Sequence, residues 1–290
     1  MTFSELLEIS ISTNLEFSEI ILAQEMMETG RDPQKVKEAL RKLMYVMLEE
    51  AEKNYGKEFN TLTNLTGNNG AKLSNAVPYM MSEFNHVATV VAISMGESNA
   101  SMGRIVACPT AGSCGVMPGA LYALKYVKKA SDDELLKSFI VASGIGNVVA
   151  KRATLSGAAG GCQAEIGTAT AMASSMITYY FSRDPVKVGN AAAISLKSLM
   201  GLVCDPVGGF VEVPCVKRNG SAVNVAIACA EMALAGIESV IPFDDVVNAM
   251  YNVGKSLPES LRETAIGGIA GTKSAQEIVE KIREKWDSKN

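Results

Sequence analysis

Along most of the chain, apolar positions recur at three- and four-residue spacing and seldom alternate. After Asp32 and Pro33, the residues Val36, Leu40, Leu43, Met47 and Ala51 fall on one stripe. The pattern predicts a helix to about Tyr55, with Asp32 as N-cap and Pro33 in the first turn. Ser131 with Glu134, and Ser274 with Glu277, have the spacing of capping boxes. Asp184–Pro185 opens another helix toward Leu199, and further helices are expected at Thr2–Glu28, Val77–Met95, Pro118–Lys129, Ala164–Phe181, Val223–Ala235 and Asp244–Lys255. Clean period-two alternation is confined to Phe210–Val216, too little for a sheet. The expected fold is all-α, a single multi-helix domain. Residues 1–56 would form an outer helical layer, 57–272 the core and 273–290 a C-terminal helix.

The connectors are rich in glycine and unusually apolar: Thr66–Gly70, Thr110–Gly119, Ser156–Gly161, Val207–Gly209 and Gly267–Gly271. Surface loops are ordinarily polar because their backbone groups need partners. Apolar glycine loops point to main chain turned inward, either for close helix contact or to offer N–H groups to a buried ligand. No Gly-x-Gly-x-x-Gly follows a strand, and no phosphate-loop signature ending in Gly-Lys-Ser/Thr is present.

Composition narrows the function. The 290 residues are 48% hydrophobic, 20% charged and only 6% aromatic, so the core is built from small side chains. A formal charge of −4 without a basic tract argues against a nucleic-acid footprint. The longest uncharged stretches, Ile105–Leu124 and Ile166–Ser182, carry prolines and glycines or are mostly Ala, Ser and Thr, which is too polar for a bilayer span. The N-terminal residues lack signal-peptide features, so a cytoplasmic location is expected. Thiols stay reduced there, and six cysteines suggest metal binding or catalysis over disulfides.

Those six are Cys108, Cys114, Cys162, Cys204, Cys215 and Cys229, with no Cys-x2-Cys pair. Zinc-ribbon and ferredoxin patterns are therefore unsupported. Cys229 lies in a helical run and Cys108 is flanked by Ile105, Val106 and Ala107, settings of buried structural thiols. Cys162, Cys204 and Cys215 stand beside glycine or proline turns, where backbone can approach a bulky inorganic group. Their chemistry alone leaves both readings open, metal ligand or packed thiol.

The run Gly157-Ala-Ala-Gly-Gly-Cys-Gln-Ala-Glu-Ile-Gly167 resembles the first cluster-ligand segment of the iron–sulfur-dependent L-serine dehydratases. Gly201-Leu-Val-Cys-Asp-Pro-Val-Gly-Gly-Phe-Val-Glu-Val-Pro-Cys-Val-Lys-Arg-Asn219 is similar to the segment carrying the other two ligands. Met102–Gly119 is similar to the family's substrate-pocket loop, and Leu261-Arg-Glu-Thr with Gly-Gly-Ile-Ala270 also matches. The likeness runs from about Thr61 to about Thr272.

The resemblance implies a [4Fe–4S] cluster on Cys162, Cys204 and Cys215, buried among the glycine-rich loops. One iron would lack a protein ligand and act as a Lewis acid on serine, giving pyruvate and ammonia. Within that frame Thr110, Ser113 and Lys72 are the candidate catalytic residues. Asn68, Asn69, Gly112, Arg218 and Asn219 are the candidate substrate-binding residues. Single-chain relatives carry a further Ser/His-bearing domain that this sequence does not show, so it resembles the α-subunit of the two-chain form, with a small β-subunit as expected partner. The lone histidine, His86, lies in an apolar helical run, where a core or interface role is expected. A cluster-dependent lyase acting on L-cysteine or L-threonine, a non-catalytic iron–sulfur sensor and pyridoxal-phosphate chemistry at Lys197 are the competing readings.

Overall fold

The structure, a computed structural model, describes residues 1–288. Among these residues the chain is all-α, with thirteen helices and no strand beyond one isolated bridge. At its centre lies α9 (Thr168–Ser182), packed against α7 (Asp132–Arg152), α10 (Pro185–Ser198) and α11 (Cys215–Leu234). Every residue of α9 from Thr168 to Tyr179 is buried. A helix buried on all sides must place its hydroxyls within the protein, and those of Thr168, Ser175 and Thr178 have no partner among the described residues. Thr170 returns its hydroxyl to Ile166 O at 2.6 Å, while Ser195 of α10 donates to Ser174 at 2.8 Å.

A second group is formed by α5 (Glu83–Ala100), α6 (Val116–Tyr126) and α11. The approach to α6 is so close that a Cβ on Gly115 would stand 2.1 Å from Ala92 O. The glycine there is a requirement of the crossing. Outside this core lie α1 (Phe3–Thr13), α2 (Phe17–Thr29) and α3 (Pro33–Asn54). The outer layer is fastened by Asp244, at the start of α12 (Phe243–Ser256), whose carboxylate accepts from Phe3 N (3.0 Å), Ser4 N (2.9 Å) and Ser4 Oγ (2.7 Å). The Phe3 ring packs edge-on against both Phe17 and Phe243.

Several expected boundaries move. Thr2–Glu28 is two helices, because Asn14 adopts the left-handed conformation at φ 53° and ends the first. The Val77–Met95 helix begins at Glu83, where Ser82 Oγ accepts from Asn85 N; the preceding connector leaves Tyr79 and Met80 exposed. The Ala164 helix opens with a π turn, Gln163–Gly167, before α9. The Val223 helix starts eight residues earlier, at Cys215. At the C-terminus, α13 (Lys273–Asp287) is capped by Thr272, whose Oγ1 accepts from Ala275 N; Ser274 lies inside the helix. The Ser131 box and the Asp32 and Asp184 caps form as the pattern requires. Of the expected C-terminal stretch, residues 289–290 lie outside the described residues. Among the described residues no helix is long and apolar enough to cross a membrane.

Candidate active site

Cys162, Cys204 and Cys215 come from three different local structures. Cys162 lies between α8 (Gly157–Gly160) and the π turn, and Gln163 ties this corner to its surroundings. The buried Gln163 amide donates to Gly160 O (2.9 Å) and Met250 O (3.1 Å) and accepts from Gly201 N (2.9 Å). Its backbone N–H donates to Leu202 O at 3.0 Å, which brings the approach to Cys204 alongside. Cys204 is held by the C-terminal segment: its N–H donates to Leu261 O, and its carbonyl accepts from Glu263 N. Cys215 follows Pro214 as the first residue of α11.

One turn into α11, Arg218 binds the group together. Its guanidinium donates to Val203 O at 3.0 Å and pairs with Asp205 at 2.8 Å, and its charge bears on the Cys162 thiol. The other oxygen of Asp205 accepts from Ile269 N at 2.7 Å. Proximity to Cys204 and to the Arg218 charge holds Cys162 below the usual thiol range, while Cys162 and burial push Cys204 well above it. Burial pushes Cys215 up to about 12, and the charge of Cys162 adds to the rise. Among the described residues, no three His, Cys, Asp or Glu side chains close on one point as ligands of a single metal ion.

The loop Thr110–Gly119 reaches the same place. The Thr110 and Ser113 hydroxyls are 3.1 Å apart, and Ser113 is fully buried. Asn219 uses its whole amide on this junction. It accepts from Gly115 N at 2.9 Å and donates to Gly112 O (2.8 Å) and Cys215 O (2.9 Å). Thr110 also neighbours Glu165, whose Oε2 is 3.9 Å from the Cys204 sulfur. Burial raises the Glu165 carboxyl above the usual range. Neither Glu165 nor Asp205 was singled out in the sequence, although each is an acidic residue within three positions of a candidate ligand.

The remaining candidates lie apart from the sulfurs. Asn69 is engaged by Glu97, a fully buried carboxylate on α5 that accepts from Thr66 Oγ1, Gly67 N, Asn69 N, Asn69 Nδ2 and Gly70 N at 2.6–3.1 Å. Asn68 lines an open polar depression with Glu58, Asn60 and Asn64. Lys72, on α4 (Asn69–Ser74), is exposed beside Leu73, Ala76, Ile93 and Lys217 in a shallow apolar depression. The 61–63 strip is fastened to the Cys215 approach through buried Glu212, which accepts from Thr61 Oγ1 (2.7 Å) and Thr63 N (2.8 Å). Lys197 donates to Ser239 O at 2.7 Å, a structural task. Half-buried His86 sits on α5 with Nδ1 unpartnered among the described residues. Cys229 is on α11, fourteen residues from Cys215, roughly 21 Å along the axis.

The family model for the serine dehydratase alpha chain matches residues 12–270. The chain belongs to the serine dehydratase alpha chain family. It is 42% identical to the probable L-serine dehydratase alpha chain of Bacillus subtilis over 96% of this chain and 93% of that protein. The L-serine dehydratase alpha chain of Peptoniphilus asaccharolyticus is 37% identical, with 96% of each chain covered. The L-serine dehydratase of Streptomyces coelicolor is 33% identical over 93% of this chain but only 60% of its own length. The family match spans all three cysteines, Glu165 and the 261–270 segment that clasps Cys204 and Asp205.

Proposed function

We propose that this chain is the catalytic α-subunit of an L-serine dehydratase that holds a [4Fe–4S] cluster on Cys162, Cys204 and Cys215. What supports the reading is that Cys162 and Cys215, from different segments, both feel the Arg218 charge, and that Cys204 interacts with Cys162, in a chain of this family. The donor set suits such a group. Soft thiolates without a histidine favour iron–sulfur chemistry over hard cations, and Arg218 offsets part of the negative charge. Gly157 supports the same reading, since a Cβ there would press within 3.0 Å of the Cys204 sulfur. When bound, the cluster would supply Lewis acidity toward the serine hydroxyl at an iron free of protein ligands.

This chain's residues would do the rest. Thr110 and Ser113 present paired hydroxyls beside Glu165, placed to bind serine and pass a proton. Asn219 keeps the Gly112–Gly115 turn against Cys215, so that Gly112 can offer backbone to the substrate. Arg218 positions the Cys204–Asp205 segment by its bonds to Val203 and Asp205. Asn69 serves the Glu97 loop, while Asn68 and exposed Lys72 stand apart from the sulfurs and are given no step in this reading. Loss of the α-proton and the hydroxyl leaves aminoacrylate, whose imine tautomer water hydrolyses to pyruvate and ammonia.

A small β-subunit is part of the proposal. The alpha-chain names of the Bacillus and Peptoniphilus relatives support it, as does the longer Streptomyces protein, of which this chain matches 60%. A reducing, cytoplasmic setting suits six unpaired thiols. The test is anaerobic purification with iron and sulfide analysis. Pyruvate formation from L-serine, L-threonine and L-cysteine is then assayed with and without the small subunit. About four irons per chain and serine turnover that needs the subunit are expected. A preparation active without iron would overturn the reading.

A further inference from the structure

The apolar stripe of α3 is only half used by the core. Met44, Met47, Leu48 and Ala51 are buried, whereas Val36 and Leu40 are half-buried and Leu43 is 43% exposed. These last three, with Ile21 and Leu22 of α2, border a cavity of about 800 Å³ between α2, α3 and α7. Beside it α2 lies directly on α7, where a Cβ on Gly144 would stand 2.5 Å from Ile21 Cδ1. The α7 wall presents the half-buried Asn147, whose amide has no hydrogen-bond partner among the described residues. Apolar walls, a few polar groups and a volume in this range are the make-up of a small-molecule pocket. No residue of the cysteine site lines it.

The rim carries both signs of charge. Arg31, in the connector before α3, and Lys35, in the first turn of α3, line the cavity together with Glu25 of α2. The ion pairs of this layer use other groups, Glu16 with Lys137, Glu28 with Lys151 and Glu38 with Arg41. Asp32, the other acid of the rim, is engaged as the N-cap, accepting from Gln34 N and Lys35 N. A ligand bearing only a carboxylate would face Glu25 as well as the two cations, and one bearing only an ammonium would face Arg31 and Lys35. A zwitterion meets both signs. The apolar walls reward bulk and give a small hydroxylated side chain little to bury against. We infer that this cavity binds a free α-amino acid with a bulky apolar side chain. Its carboxylate lies toward Arg31 and Lys35, its ammonium toward Glu25 and its side chain against Ile21, Leu40 and Leu43. The site is separate from the one that takes the substrate.

The test is calorimetry on the purified chain under argon, with L-leucine and L-phenylalanine as probes. Three compounds each lack one feature of phenylalanine: L-alanine the apolar bulk, 3-phenylpropanoate the ammonium and 2-phenylethylamine the carboxylate. Both probes should bind. L-Alanine should be weaker than phenylalanine by about tenfold, and the other two by about fivefold, a modest factor because the rim charges are open to solvent. Glu25→Gln should erase the preference over 3-phenylpropanoate alone, and Arg31→Ala combined with Lys35→Ala the preference over 2-phenylethylamine alone. Ala39→Trp, which fills the cavity from an exposed position on α3, should abolish binding of both probes. Failure of both probes to bind wild type, equal affinity for phenylalanine and 3-phenylpropanoate, or undiminished binding in Ala39→Trp would each overturn the assignment. The measurement requires neither iron nor turnover, so its outcome is independent of the serine reading.

Discussion

Cys204 and Arg262 form the isolated bridge of the structure, with the Cys204 N–H donating to Leu261 O at 3.0 Å and its carbonyl accepting from Glu263 N at 2.7 Å. The C-terminal segment is thereby part of the site, although it contributes no cysteine. Just beyond, Gly268 has φ +60° and a Cβ there would fall 2.4 Å from Asp205 Oδ2. Gly268→Ala should displace Asp205 from Ile269 N and Arg218, at a cost of about 1–3 kcal/mol. Iron retention during gel filtration and the thermal midpoint should both fall; an unchanged iron content would argue against the clasp.

Cys204→Ser should remove iron and activity together, because an alcohol is a poor substitute for a thiolate ligand. Cys229→Ala is the control. That thiol is buried on α11 near Ser195 and Ser198, far from the trio, so its loss should cost only about 1–2 kcal/mol and leave the visible absorption of the cluster intact. Cluster loss in the Cys229 variant would mean that the ligand set is misassigned.

Glu97→Ala should be among the most damaging single changes outside the cysteines. It would orphan the N–H groups of Gly67, Asn69 and Gly70 in a buried setting, a loss on the order of 3–5 kcal/mol. Hydrogen exchange should show these amides opening before α5 does. Protection equal to wild type would remove Glu97 from its role as organiser of the loop.

Asp132 joins three helices, accepting from Lys125 of α6 and from Tyr45 of α3 at the start of α7. These bonds, Lys125 first, hold its carboxyl below the usual value of 3.8. A depressed folded value means stability that is present above the ordinary carboxylate range and lost as pH falls through the folded value. Asp132→Asn should therefore lower stability at neutral pH and flatten its acid-side decline. Solvent screening keeps the effect small. Denaturant midpoints from pH 7 down to about 3 would check it, and parallel curves for the two proteins would refute it.

Much of the helical framework is legible from local pattern. The stripe from Val36 to Ala51, the Asp32–Pro33 and Asp184–Pro185 openings and the Ser131 box are determined within a few residues, and the structure keeps them. What misleads is equally local. Asn14 can enter the left-handed region that splits α1 from α2, and Thr272 competes with Ser274 for the same cap. Cys215 looks like a loop residue from its Pro214 neighbour, yet it opens α11, because a proline just before a helix costs no intrahelical bond.

The sequence by itself determined the all-α class, the three thiols beside glycine and proline turns, and the motifs by which the chain resembles its family. Periodicity, capping and turn chemistry are properties of neighbouring residues. Only the tertiary structure decided which charges have partners. Glu97, Asp205 and Glu212 look alike in sequence to Glu165, a lone acid in an apolar run, and Asp244 differs only in its neighbour Asp245. Their partners lie as far as 241 residues away, as Phe3 does from Asp244, and no spacing rule reaches that distance. The cost of burying an unpaired carboxylate is set by what surrounds it in space. Packing therefore gives four of these acids partners within the protein, while among the described residues no Lys, Arg or His pairs with Glu165.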